Sequence, residues 1–234
     1  MTDAPNSEWS RAVVRVGGGR GTIVETKRGE RYIITAAHCL PGQPPPHAAS
    51  RTEERTYAKL VGTLGAEPTV WAECLFADPV ADLAVICSPD GQAFSDESEA
   101  YDALLEGAGR LPLGSLSYAR KTHTHPDGST VLLPPRAESA AWLLSLGGQW
   151  FACRVESSGR GLWIAERSAR IEGGMSGSPI VSQHGEALGV ISTGHWDPLL
   201  AASLPAWIVR ALTPRRHNSG ARRRVKPRAE NAFP

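Results

Sequence analysis

The feature that most constrains the fold of this chain is a succession of short β-branched runs, each closed by glycine, proline or polar turn residues. Ala12-Val13-Val14-Arg15-Val16 ends at Gly17-Gly18-Gly19. Thr22-Ile23-Val24-Glu25-Thr26 and Tyr32-Ile33-Ile34-Thr35 flank the polar segment Lys27-Arg28-Gly29-Glu30. Two β-rich runs around a short glycine-containing segment predict a hairpin. Further strands are predicted over 58–64, 69–76, 83–87, 130–133, 141–146, 149–156, 162–165, 179–182 and 187–192. Short strands at this spacing, with turn residues between them, point to an all-β sandwich or barrel rather than to βαβ units.

Three segments depart from the strand pattern. Residues 43–51 are rich in proline and alanine and read as a surface loop. Residues 95–106 open on Ser95-Asp96-Glu97-Ser98-Glu99 and read as a short helix, placed where a linker between two β units would fall. Residues 205–212 read as a final helix with Pro205 in its first turn. The 234 residues suffice for one large domain or two small ones. The expected organisation is an N-terminal arm (1–10), a first β unit (11–94), a linker (95–110), a second β unit (111–212) and a tail (213–234). No internal repeat is visible.

The net charge of +1 hides an asymmetry: from Thr213 onward there are seven Lys or Arg and one acid, Glu230. A like-charged block interrupted by Pro214, Gly220 and Pro227 repels itself and buries nothing, so the tail is expected to be disordered. It is either a solvated tail or a contact for an acidic partner or nucleic acid. No stretch approaches the ~20 apolar residues of a membrane span. The polar, acidic start lacks the basic and apolar regions of a signal peptide, so a cytoplasmic protein with no membrane contact is expected. Cys39, Cys74, Cys87 and Cys153 show no close CxxC spacing, and we expect reduced, mostly buried thiols. His123 and His125 form a His-x-His pair beside Pro126 and Gly128. With no third ligand nearby they read as a solvated hairpin, and neither a metal nor another cofactor is expected.

Three islands carry chemistry. Thr35-Ala36-Ala37-His38-Cys39 follows a strand, Ala81-Asp82-Leu83-Ala84-Val85 opens another, and Gly173-Gly174-Met175-Ser176-Gly177-Ser178-Pro179 surrounds a serine with small residues. Singly, each has an ordinary reading as a packed histidine, a turn aspartate or a loop. The third says more. Small neighbours let the backbone fold sharply around Ser176, exposing its hydroxyl and turning successive N–H groups toward one point, as a developing oxyanion requires.

In their order His…Asp…Ser the islands resemble the trypsin/chymotrypsin-like serine peptidases. Gly174-Met175-Ser176-Gly177-Ser178-Pro179 is similar to that family's nucleophile loop, and Gly189-Val190-Ile191-Ser192-Thr193-Gly194 to the strand lining its specificity pocket. Val13-Val14-Arg15-Val16 and Gly21-Thr22-Ile23-Val24 resemble openings in the bacterial HtrA-like branch. The resemblance implies two antiparallel six-stranded β-barrels with the active site in the cleft between them, followed by the short C-terminal helix and the basic tail. It implies a serine endopeptidase acting on proteins or peptides through an acyl-enzyme. Ser176 would be the nucleophile, His38 the base, Asp82 its orienting partner, and the N–H groups of Gly174 and Ser176 the oxyanion hole. Ser192, Thr193 and Gly194 would pair with substrate backbone.

The resemblance has departures. Met175 stands where zymogen-type members carry an aspartate, and no Ile-Val-Gly-Gly start exists, so activation by N-terminal cleavage is not expected. Cys39 has no cysteine upstream, so the usual disulfide beside the histidine is missing. Ser178 replaces a glycine, and no PDZ-type peptide-binding domain is expected after the second barrel. Arg170 and Ile171 fall near the pocket floor, leaving two readings: Arg170 outward with a small apolar pocket, or Arg170 inward favouring an acidic residue. Two further possibilities stay open. One is a regulatory protein partner; the other is a catalytically silent relative that uses the same cleft to bind peptides.

Overall fold

The computed structural model describes residues 5, 7–44, 52–116, 122–132, 137–157, 162–192 and 199–203. The first unit contains β1 (Val13–Val16), β2 (Gly19–Glu25), β3 (Arg31–Thr35), β4 (Thr56–Thr63), β5 (Val70–Asp78) and β6 (Leu83–Cys87). Their order is β1-β4-β5-β6-β3-β2, and β1 also pairs with β2, so the six antiparallel strands close on themselves. A two-residue strand, β7 (Leu111–Pro112), adds in parallel to β2. A small hairpin of β8 (Thr122–Thr124) and β9 (Thr130–Leu132) follows. The second unit is a closed six-stranded barrel of β10 (Ala137–Leu144), β11 (Trp150–Ser157), β12 (Leu162–Arg167), β13 (Pro179–Ser182), β14 (Ala187–Ile191) and β15 (Leu199–Ser203). The all-β, two-barrel expectation therefore holds. Closing each sheet removes the exposed edges that short strands would otherwise present.

Each barrel has its own core, and a third apolar cluster joins them. Ile23, Ile33, Leu60 and Ile86 fill the first barrel, while Leu143, Val155, Leu162 and Ile164 fill the second. Val24, Ile34 and Val85 of the first meet Val181, Ala187 and Val190 of the second. That junction explains why β2 is buried on both faces: Ile23 points into its own barrel and Val24 toward the neighbour. The helix expected over 95–106 is present as α3 (Ser95–Gly107), after a short α1 (Ser7–Arg11) and α2 (Thr52–Arg55). No side chain caps its start. Packing decides its position instead, because Tyr101 and Leu105 seal the first core and the Tyr101 hydroxyl donates to Ile86 O at 3.3 Å.

The described end of the N-terminal arm, in α1, packs against the second barrel. In α1, Trp9 stands edge-on to Trp150 of the second barrel at 5.7 Å, and the Trp150 indole N–H donates to Ser10 Oγ at 2.9 Å. Trp9→Ala should therefore lower stability by about 1–2 kcal/mol in thermal or urea unfolding. The His123/His125 segment lies on the exposed β8–β9 hairpin, with the two rings 4.9 Å apart. The helix expected over 205–212, the tail 213–234 and most of the 43–51 loop lie outside the described residues.

All four cysteines are free. Burial pushes the Cys74 thiol up to about 11 and the Cys87 and Cys153 thiols up to about 12. An unfolded thiol ionises near about 8.5, so above that pH the unfolded chain releases protons that the native state retains. Stability should then fall as pH rises from about 9 toward 11, by up to about 1.4 kcal/mol per thiol per pH unit. Urea midpoints across this range, with a shallower slope in Cys153→Ala, check the sign and the source.

Candidate active site

Pairing of β3 with β6 sets Thr35 opposite Ala84, so the chain leaving β3 runs beside the chain entering β6. His38 lies on a one-turn 3-10 helix, Ala37–Cys39, directly after β3, and Asp82 directly precedes β6. Asp82 has φ +52°, a left-handed conformation that aspartate tolerates better than most residues. Its Oδ1 accepts the His38 backbone N–H at 3.0 Å and its Oδ2 lies 2.8 Å from His38 Nδ1. A carboxylate only accepts, so Nδ1 carries the proton, and in the neutral ring Nε2 is left with a lone pair. The imidazole is about half exposed, its side chain showing 48% of its surface.

Ser176 lies between β12 and β13 on a tight turn. Met175 N–H donates to Glu172 O at 3.2 Å, and Gly174 has φ +93°, the left-handed third position that marks a type II turn. The buried Met175 thioether accepts the Glu172 N–H at 3.3 Å. Below the turn, Gly177 N–H donates to Ile191 O at 2.8 Å and Ile191 N–H returns to Ser178 O at 2.9 Å. The N–H groups of Gly174 and Ser176 are taken by no described residue. Two free donors flanking one sharp turn are what an anionic oxygen would need.

The serine loop is pinned to the first barrel. Arg20 N–H donates to Ser176 O at 2.8 Å, and the Cys39 thiol approaches the same oxygen at 3.7 Å. The Ser176 hydroxyl donates to Ser192 O at 3.3 Å, while the Ser192 hydroxyl donates to Asp82 Oδ2 at 2.5 Å. The structure thus brings His38 and Asp82 into direct contact and joins Ser176 to them through Ser192. Among the described residues, Ser176 and His38 share no hydrogen bond. Arg170 is exposed just after β12, and Ile171 is buried in the second core. Thr193 and Gly194 lie outside the described residues.

Sequence reasoning did not foresee two contributions. Ser192 was expected through its backbone, yet its hydroxyl completes the set of donors around Asp82. The other is Arg20, a lone cation between Gly19 and Gly21 with no acidic partner in the sequence to mark its burial.

The family model described as a trypsin-like peptidase domain matches residues 19–190, from the first residue of β2 into β14. A comparison with curated proteins finds no significant match. Among solved structures, the chain is similar to the human pathogenic astrovirus serine protease, at 16% identity, 88% of this chain, 97% of that chain and a TM-score of 0.49. It is similar to the MamO protease domain from Magnetospirillum magneticum, at 16% identity, 88% and 97% coverage and a TM-score of 0.39. A third likeness is the serine endoprotease from Yersinia pestis, at 16% identity, 89% of this chain, 66% of that chain and a TM-score of 0.43. The family assignment rests on the sequence match and draws nothing from these three. A match of that length, laid over two six-stranded barrels with a serine-bearing turn at their junction, makes the chain a member of the trypsin-like peptidase domain family, a serine-type endopeptidase.

Proposed function

We propose that the protein cleaves peptide bonds of protein substrates through an acyl-enzyme on Ser176, with His38 as general base and acid and Asp82 orienting His38. The observation that carries this reading is the hydrogen-bonded run His38–Asp82–Ser192–Ser176. With Nδ1–H held by Asp82, Nε2 is the nitrogen free to take a proton. A turn of the Ser176 side chain away from Ser192 O would offer it that proton, since catalytic hydrogen bonds often tighten only when substrate is bound. Attack by Oγ on the scissile carbonyl forms the acyl bond, and His38 passes the proton to the departing amine. Water, deprotonated by His38, then releases the acid product. The Gly174 and Ser176 N–H groups would hold the oxyanion, each donor contributing about 2.7–4 kcal/mol in the transition state. With Arg170 exposed, a small apolar pocket over Ile171 is the specificity reading we favour. Strong cleavage after Arg or Lys in a peptide library would sink it. Free thiols suit a reducing compartment, and we place the enzyme in the cytoplasm.

Reaction with a fluorophosphonate, followed by mass mapping, tests the mechanism: the adduct is expected on Ser176. The Ser176-to-Ser192 contact favours a second reading, a silent peptide-binding module whose serine is turned away from His38. Folded protein that forms no adduct and yields no cleaved termini would establish that alternative. Ser192→Ala removes one donor to the Asp82 carboxylate, and kcat should fall about 10- to 100-fold with KM nearly unchanged. Steady-state kinetics on a peptide from the library reads both.

A further inference from the structure

We infer that Arg20 is a positioning residue for the nucleophile turn, a buried cation tying the Ser176 loop and the β10–β11 turn of the second barrel to β2 of the first. The inference rests on the peptidase reading for its kinetic consequence, though not for its structural one. Arg20 is 5% exposed. Among the described residues no carboxylate pairs with it. Its guanidinium instead donates to main-chain oxygens: Leu144 O at 3.3 Å, Ser145 O at 3.0 Å and Leu146 O at 3.2 Å. The remaining contact is Ser178 Oγ at 3.4 Å. Burying a charge with neutral acceptors alone is costly unless the geometry is good, and an apolar side chain would have filled the space without that cost.

What the cation achieves is a fixed relation between three pieces of chain. The Arg20 backbone holds Ser176 O, its side chain holds Ser178, and Thr35 Oγ1 donates to Arg20 O at 2.6 Å, anchoring the residue to β3. The same fork holds the 144–146 segment, whose Leu146 Cδ2 lies 3.6 Å from where a side chain on Gly174 would begin. One guanidinium therefore contacts both the 144–146 segment beside Gly174 and Ser178 at the end of the serine turn. Ser178, a departure from the family's glycine, supplies the hydroxyl that faces it. A lysine keeps the charge but lacks the planar fork that reaches several acceptors at once.

Arg20→Lys and Arg20→Met test the assignment, with Arg154→Ala on the outer face of the second barrel as a control. In both Arg20 variants kcat and the rate of fluorophosphonate labelling should fall about thirtyfold, with KM within about threefold. Amide hydrogen exchange over 144–146 and 173–178 should quicken at least about tenfold while β3 and β6 keep their protection. Should Arg20→Met fail to fold, Arg20→Lys carries the test. A folded Arg20→Lys whose labelling rate and local exchange match wild type overturns the inference, as does a uniform rise in exchange across both barrels. Wild-type protein that never labels or cleaves removes the peptidase reading; local exchange in the variants then still decides whether Arg20 positions the turn.

Discussion

Asp82→Asn should lower kcat about ten-thousandfold while leaving fold and substrate affinity in place. The backbone gives no reason for loss, because asparagine accepts the left-handed φ of +52° as readily as aspartate. The amide oxygen can keep the His38 N–H at the Oδ1 position. The difficulty is confined to the atom facing Nδ1. There the carboxylate accepts from the ring, and also from the Ser192 hydroxyl. An amide placed with its NH2 at that position donates instead, so Nδ1 must accept and the proton moves to Nε2. His38 then cannot take a proton from Ser176. Steady-state kinetics should show the fall in kcat with KM and melting temperature near wild type. A loss under about tenfold would mean that His38 does not need this carboxylate as its tautomer setter, and the general-base step would need another group.

The barrels were legible because closed sheets of short strands leave a periodic mark. The Thr22–Thr26 and Tyr32–Thr35 runs, read as a hairpin, correspond to β2 and β3, and the helix over 95–106 stands as α3. What the sequence hid follows from long-range packing. β15, with its Leu199-Leu200-Ala201-Ala202-Ser203 run, has no β-branched residue, and it is a strand because β12 and β14 both offer it an edge. Nothing local told that Trp9 would reach Trp150 across about 140 positions of chain. In the site, His38 and Asp82 were readable from their short motifs, and the β3–β6 register explains why they meet. Arg20 was not, because a buried arginine satisfied by carbonyls has no acidic partner whose spacing could announce it. The Ser192 hydroxyl was missed for a related reason: its partner lies on the other barrel.

Alanine placed at successive glycines of the serine loop should separate what the loop needs for folding from what it needs for chemistry. At Gly177 an added Cβ would sit 1.8 Å from Arg20 O and 2.6 Å from Thr35 Oγ1, on a backbone with φ +80°. The clash is with main chain that β2 holds in place, so the loop must lift away and give up the Arg20 N–H contact to Ser176 O. Steric overlap, left-handed strain and lost hydrogen bonds together put Gly177→Ala at about 4 kcal/mol or more of destabilisation, with activity gone even below its melting temperature. Gly174→Ala meets nothing nearer than 3.6 Å and carries only the left-handed φ of +93°. It should lose about 1–2 kcal/mol of stability. Its larger effect falls on kcat, because relief of that strain rotates the N–H proposed to hold the oxyanion. Gly173 has open space around it and no left-handed φ, and Gly173→Ala should melt and react like wild type. Melting temperatures and labelling rates for the three variants give the expected order. A Gly177→Ala protein as stable and as fast as wild type would mean that the serine loop does not rest on β2, and the seat described for Ser176 would have to be abandoned.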